Sequence, residues 1–347
     1  MTGARSYGLF LNAGAQLGAD HQAVFELTAE QALLAERLGY RDVWVTEHHF
    51  IDFGINPSAL VLAAFLLGRT NRLRVGTAVT LAPLYHPVQL AEQAALLDQA
   101  SGGRFDFGIG RGGYLRDFEV LGVDPARWDD EIDHTVRVLR DAWTKATVEA
   151  HGRWHDFTPV RVNPRPRTQP HPPLFLATST PASVTLAAAH GLPLLHYFAT
   201  PPEARAKVEA AYDAARPADA ASVEHVHALI VCVHDDEAEA RERLSAALTQ
   251  SFTAGDHPSV PQAANRHVGP DGKPYQRDVM AAHVAAASAV GPPARVAEQI
   301  AAFCAGTGAR RLVLYMEAIG DAAMTRASIE RFAREVRPLL DGVDAFA

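Results

Sequence analysis

LRVGTAVTLAPLYHPVQLAEQAALLDQASGGRFDFGIG, residues 73–110, reads as strand, helix, strand. Leu73–Val79, like Asp42–Val45 upstream, carries apolar residues in succession rather than in alternation. That pattern suits parallel strands covered on both faces. Between the two runs, Val88–Ala100 has the composition of a helix, stopped by Gly102-Gly103, and Phe105–Ile109 resumes as a strand.

The same alternation extends in both directions. Tyr7–Leu11 is a strand, and Ala23–Leu38 follows with Phe25, Ala29, Ala32, Leu33 and Leu34 at helical spacing and Gly39 as a stop. Downstream, Leu174–Ala177, Leu192–Leu195, His227–Val231 and Leu312–Tyr315 read as strands. Helices are predicted over Arg127–Lys145, Ala182–His190, Glu203–Ala215, Glu237–Gln250, Pro293–Ala305 and Met324–Leu339. Eight β–α pairs without an evident linker predict an α/β fold of the (β/α)8 TIM-barrel type. A doubly wound sheet is the weaker alternative, because no G-x-G-x-x-G follows the first strand. The 347 residues exceed the roughly 250 typical of such a barrel. Two insertions account for length. Val148–Val162 reads as a hairpin after the fourth helix, and Ser251–Pro293, with its Pro, Gly and weak periodicity, as a lid within one domain spanning 1–347.

Composition narrows the function. A net charge of −8 argues against nucleic acid or anionic lipid as partners, and the basic Asn163–Arg167 stretch is short and proline-bound. Cys232 and Cys304 are too few and too far apart for a disulfide framework, which fits a reducing cytoplasm. The N-terminal apolar run is too short for a signal peptide, and no apolar stretch approaches a membrane span. A soluble cytoplasmic protein is the expectation.

In a barrel the chemistry belongs at the C-terminal ends of strands. There the second strand runs into Thr46-Glu47-His48-His49, the fourth into Gly110-Arg111-Gly112-Gly113, and the fifth into Thr178-Ser179-Thr180-Pro181. A carboxylate beside two imidazoles suits acid–base work near neutral pH; a hydrogen-bonded histidine at the rim is the competing reading. Arg111 between glycines could grip a phosphate or sit solvated in a turn. Thr180-Pro181 marks a helix start, which is either a plain cap or an anion site. The chain has no H-E-x-x-H pattern and no Cys pair, and its other histidines are scattered, so no metal is expected. These residues alone point to a barrel enzyme with a phosphorylated cofactor.

From TEHHFIDFG (46–54) onward the chain resembles the bacterial-luciferase-like flavin-dependent monooxygenases, of the alkanal monooxygenase α-chain type. VGTAVTLAP, HPVQLAEQAALLDQASGGRFDFGIGRG and YLRDFEVLG carry the resemblance most strongly, between Trp44 and Gly122. PLFLATSTPAS, HGLPLLHYF, GKPYQRD and VGPPARVAEQI extend it over essentially the whole chain. The resemblance implies FMN, taken as FMNH2, with O2 as co-substrate and a flavin C4a-hydroperoxide as oxidant. It implies a separate flavin reductase as partner, a homodimer, and an organic substrate such as an aldehyde or a larger secondary metabolite, for instance a polyketide. His48 matches the catalytic histidine and Glu47 the acid that helps set the site. Phe10, Tyr114 and Phe198 match aromatic positions of the flavin pocket. Ala78-Val79 matches a pair joined by a cis peptide beneath the ring, and Arg111, Ser179 and Thr180 match phosphate-binding positions. Ser251–Pro293 matches the mobile loop.

Two positions depart from luciferase, which has a reactive cysteine where Gly110 stands and a glutamate where Ser179 stands. The glycine is expected to leave more room beside the flavin, and both changes put efficient light emission in doubt. Two other functions compete with the monooxygenase: an F420-dependent hydride transfer, and a non-catalytic partner subunit, against which His48-His49, Arg111 and the 251–293 insertion speak. For the dimer, the Leu60–Leu67 stripe would serve, although burial against the barrel is the default for such a stripe.

Overall fold

The computed structural model describes residues 5–14, 19–51, 53–177, 180–254 and 276–343. In chain order β1 (Ser6–Leu11), α1 (His21–Arg37), β2 (Asp42–Val45), α2 (Ala59–Arg69), β3 (Arg74–Thr77), β4 (Thr80–Leu81), α3 (Pro87–Ala100) and β5 (Phe105–Gly110) make the first half. Then come α4 (Leu115–Leu121), α5 (Arg127–Thr144), the hairpin β6 (Val148–His151) and β7 (Asp156–Val160), β8 (Leu174–Leu176), α6 (Pro181–His190) and β9 (Leu195–His196). The chain continues through α7 (Pro202–Ala215), β10 (Val226–Val233), α8 (Glu237–Ala254), α9 (Arg277–Ala287), β11 (Ala289–Gly291), α10 (Pro293–Thr307) and β12 (Arg311–Tyr315). It ends with α11 (Ala322–Arg331), a π-helical stretch, and α12 (Arg337–Val343).

Local chemistry sets the helix ends. Asp20, Ser58 and Asp321 accept from the first-turn amides of α1, α2 and α11, satisfying donors that a helix leaves free. Proline opens α3, α6, α7 and α10, where its fixed φ and missing N–H cost nothing. Gly191 and Gly308 end α6 and α10 at φ 66° and 72°, a left-handed conformation that glycine adopts readily.

The strands pair in parallel around a ring. β1 pairs with β2, β2 with β3, β3 with β5, and β5 with β8. A single bridge, Leu176 to Leu194, joins β8 to the chain entering β9. β9 pairs with β10, β10 with β12, and β12 with β1. The expected (β/α)8 barrel is therefore present, with β4 and β11 added beside the C-terminal ends of β5 and β10. The predicted third strand is broken: β3 stops at Thr77, and the Ala78-Val79 peptide is cis before β4. The predicted sixth strand lies later, at Leu195–His196.

Inside the barrel, Trp44, Phe175, Leu195, Val226 and Val313 pack together. Trp44 needs Gly76 opposite it, since a Cβ there would lie 2.4 Å from the indole ring. At the N-terminal end, Arg311 is buried between Asp42 and Asp106, 2.7 Å from each, with its guanidinium over Trp44 and Phe175.

The expected hairpin is β6–β7, antiparallel. Of the expected lid, residues 255–275 lie outside the described part. Its flanks are ordered elements: Ser251 to Ala254 complete α8, and α9 packs Ala281, Val284 and Ala285 against Ala240, Leu244 and Leu248 of α8. On α2 the stripe divides, with Leu60, Leu62, Leu66 and Leu67 buried and Val61 and Phe65 exposed. Among the described residues no helix is long and apolar enough to cross a membrane. Cys232 and Cys304 are both buried, and neither is in a disulfide.

Candidate active site

β2 delivers Thr46-Glu47-His48-His49 to the C-terminal rim. Glu47 is buried and spends both oxygens on structure. Its Oε1 accepts from the Leu81 amide and the Tyr85 hydroxyl, each at 3.1 Å, and its Oε2 from the Ala59 amide at 2.9 Å. One carboxylate thus ties together the chain after β2, the β4 segment and the start of α2. Both Glu47 oxygens are engaged in these contacts.

His48 is held differently. Its amide donates to the Asn56 carbonyl at 2.9 Å, and its ring lies 5.2 Å from that of Phe53. Nδ1 is buried with no hydrogen-bond partner. Gly54 gives it space, since a Cβ at that position would sit 2.7 Å from Nδ1. Burial, aided by the neighbouring His49, pulls the His48 pKa down to about 4, so the imidazole is neutral near pH 7 and offers one donor and one acceptor. His49 places Nε2 3.8 Å from Glu47 Oε1. Asp117 on α4 is buried, and neither carboxylate oxygen has a hydrogen-bond partner. Burial pushes it up to about 6, opposed by His49 and reinforced by Glu47.

Asn12, at the end of β1, organises the other side. Its Oδ1 accepts from the Thr46 hydroxyl at 3.0 Å, its Nδ2 donates to the Phe53 carbonyl at 3.1 Å, and its amide donates to Glu317 at 2.6 Å. Burial pushes Glu317 up to about 7, and the Asn12 amide works against that rise. Phe10, Phe198 and Tyr315 form an aromatic wall, with ring centroids 5.0 to 6.2 Å apart. The Tyr197 ring lies tilted against that of Phe198, with centroids 4.1 Å apart. Tyr114 caps α4, and burial pushes its hydroxyl up to about 12.

The Ala78-Val79 peptide is cis, as the resemblance implies. Gly110 is corrected in one respect: the room freed by the absent side chain is not open. A Cβ there would lie 2.8 Å from Val79 Cγ2, so Val79 fills the space.

Arg111 and the start of α6 leave adjacent strands, since β5 and β8 pair up to Ile109 and Leu176. The Arg111 guanidinium lies 4.2 Å over the Trp128 ring, and Trp128 donates to the Gly112 carbonyl at 3.1 Å. Thr180 caps α6, accepting from the Ser183 amide at 3.4 Å and donating to its hydroxyl at 2.9 Å. The hydroxyl is thus engaged in capping; with Pro181 lacking an N–H and the Ser183 amide taken by Thr180, Ala182 is the first-turn residue whose amide could face an anion. Ser179 lies outside the described residues.

Sequence reasoning missed Asn12, Asn56, Asp117 and Glu317. Asn12 and Glu317 meet only across the barrel, Asn56 folds back on Thr46 and His48 from the loop after β2, and the Asp117 carboxylate is buried without a hydrogen-bond partner. Scattered histidines also converge: His196, Glu209 and His227 bring ligand atoms within 4.8 Å of one another.

A (β/α)8 barrel whose orphaned polar groups and aromatic wall gather at the C-terminal rim has the architecture of a barrel enzyme. The family model described as luciferase-like monooxygenase matches residues 6–311, and the chain belongs to that family. It is similar to the alkanal monooxygenase alpha chain of Photorhabdus luminescens, 34% identical over 212 residues. That match spans 60% of this chain and 59% of the relative, so the chain aligns with about three-fifths of that protein's length. The alkanal monooxygenase alpha chain of Photobacterium leiognathi is 27% identical over 93% of this chain and 95% of its own. Among solved structures, a monooxygenase from Streptomyces bottropensis superposes with a TM-score of 0.82 at 25% identity, covering 96% of this chain and 99% of that one. The oxygenating constituent of 3,6-diketocamphane monooxygenase from Pseudomonas putida, solved with FMN, shares the fold at a TM-score of 0.77 and 19% identity, covering 97% and 99%.

Proposed function

We propose that the protein is the oxygenase of a two-component flavin monooxygenase, taking FMNH2 from a separate reductase and using O2 to oxidise an organic substrate. The observation that carries this reading is His48. It is neutral, with a buried and unpartnered Nδ1, and it lies with Phe10, Phe198 and the cis Ala78-Val79 peptide within residues 6–311, on which family membership rests. Such a pocket suits a flavin, because a flat heteroaromatic ring needs apolar faces and a few polar atoms at its edge.

Bound reduced FMN supplies the oxygen-activating chemistry, which belongs to the cofactor. The chain's residues do the rest. Phe10, Phe198 and Tyr315 exclude water from the pocket. Ala78 and Val79 support the ring, and Tyr114 closes the side formed by α4. Arg111 and the first turn of α6 hold the phosphate, with Thr180 fixing that turn and Ser179 next to it. His48 holds or moves a proton at Nδ1, and Glu47 fixes the backbone from which His48 projects.

Alkanal monooxygenase alpha chains act, by their name, on alkanals, and a relative from Acinetobacter baylyi is named the oxygenase component of a flavin-dependent trigonelline monooxygenase. The latter motivates the reductase partner. The exposed Val61 and Phe65 on α2 give a homodimer an apolar face.

Anaerobic titration with FMNH2, followed by rapid mixing with oxygenated buffer, tests the reading. Saturable binding and an absorbing species that outlives free FMNH2 before oxidised FMN appears are expected. Failure to bind FMNH2, with saturable binding of F420H2 instead, would replace the oxygenase by a hydride-transfer enzyme.

A further inference from the structure

His196 closes β9 and His227 lies near the start of β10, where the two residues are register partners. Their strand neighbours Leu195 and Val226 point into the barrel with Trp44 and Phe175. Side chains alternate along a strand, so both imidazoles point outward, toward α7. There they meet Glu209. His196 Nε2 lies 3.0 Å and His227 Nε2 3.4 Å from the same carboxylate oxygen. The two rings stack with centroids 4.7 Å apart. Both histidines are buried, their side chains 3% and 2% exposed, whereas Glu209 is 19% exposed and reaches solvent on one side.

Hydrogen bonding leaves this cluster unsatisfied. His196 Nε2, Glu209 Oε1 and His227 Nδ1 are all buried with no hydrogen bond. His225 does not help, since its Nδ1 already accepts from the Leu194 amide. Arg205, one turn earlier on α7, donates to the carbonyls of Tyr197, Phe198, Thr200 and Ala228. Its Nη1 is left buried with no hydrogen bond, and its charge acts on Glu209.

We propose that His196, Glu209 and His227 bind a divalent transition-metal cation of the zinc class. Ligand atoms about 2.0–2.2 Å from a tetrahedral zinc lie roughly 3.3 Å from one another, which is the spacing of each imidazole nitrogen from the carboxylate oxygen. Two imidazoles and one carboxylate form a borderline donor set that suits zinc better than magnesium or calcium. The solvent-facing side of Glu209 leaves a fourth position for water. The cation sits on the outside of the barrel and plays no part at the reacting atoms. It would cross-link β9, β10 and α7, and so pin the loop that presents Tyr197 and Phe198 to the pocket.

The test uses untagged protein stripped with chelator and titrated with Zn2+ by calorimetry and with Co2+ by visible absorbance. Exposed His151, near Glu149 and Asp156, is an adventitious candidate, and His151→Ala controls for it. One equivalent of each metal is expected, with the Co2+ bands of a low-coordinate site, unchanged by His151→Ala. Glu209→Gln, isosteric and partly exposed, should weaken both metals at least tenfold, as should His227→Gln. Zn2+ should raise the Tm of the wild type and not that of Glu209→Gln. Absence of saturable binding, or equal affinity and equal Zn2+-induced Tm shift in Glu209→Gln, would overturn the site.

Discussion

At the scale of single residues, the pocket depends on groups whose hydrogen bonds are left open. His48 shows why that matters. Its folded pKa of about 4 lies below the usual 6.5, so between these values an unfolded chain takes a proton that the folded one refuses. The stabilising contribution is therefore present above about pH 6.5 and is lost as pH falls toward 4. Urea midpoints taken from pH 7 to 4.5 should fall more steeply for the wild type than for His48→Gln; parallel slopes would mean that His48 titrates normally. In catalysis, His48→Ala should retain FMNH2 affinity and lower product formation by about 10²–10⁴-fold, the range for removing an acid–base group. Single-turnover product yield measures it, and unchanged turnover would remove His48 from the chemistry. Arg111 lies over Trp128 rather than in a bare loop. Arg111→Ala should weaken FMN at least tenfold and leave riboflavin unaffected, because only FMN carries the phosphate. Fluorescence titration of both flavins checks this, and equal weakening would move the phosphate elsewhere.

At the scale of elements, the loop from β9 to α7 is held by one side chain. Arg205 is buried and serves four carbonyls, with its guanidinium 4.9 Å from the Phe303 ring. Each buried acceptor left without a donor costs about 1–3 kcal/mol. Water entering the vacated space would satisfy some of them, so Arg205→Ala should lose about 3–5 kcal/mol by chemical denaturation. A loss below about 1 kcal/mol would show that the loop holds itself. Strands and helices of this kind were largely legible in the sequence. Parallel strands buried on both faces leave unbroken apolar runs such as Val226–Val233, and Pro181 or Gly191 mark helix ends with a local cause. The break at Ala78-Val79 interrupted a run that read as one strand, and α9 was hidden in an alanine-rich stretch taken for part of a lid. The rim motif around Glu47-His48 could be read because its residues are contiguous. Asn12 with Glu317, 305 positions apart, could not, because only closure of the barrel brings them together.

At the scale of the whole molecule, closure depends on the end of the barrel opposite the pocket. Arg311 from the last strand of the ring bonds Asp42 of the second and Asp106 of β5, spanning the interior rather than a single pair of neighbours. Gly8 admits Asp42, since a Cβ there would lie 1.8 Å from the carboxylate. Burial pushes the Asp42 pKa up and Arg311 opposes it. Arg311→Leu would leave buried Asp42 with only the half-exposed Arg41, 3.7 Å away, while Asp106 keeps its pair with Arg74, a change worth about 3–5 kcal/mol. The pH dependence follows from the sign of the shift. Without the arginine Asp42 rises further above its unfolded value, so the folded variant holds a proton that the unfolded chain has released. Its stability is then greatest below the ordinary carboxylate range and falls as pH rises through the elevated folded value of Asp42. The deficit relative to the wild type should therefore be small near pH 4.5 and grow toward pH 7.5, as measured by urea midpoints at both ends. A deficit independent of pH would mean that Arg311 acts through packing on Trp44 and Phe175 alone, and that charge has no part in holding the ring closed.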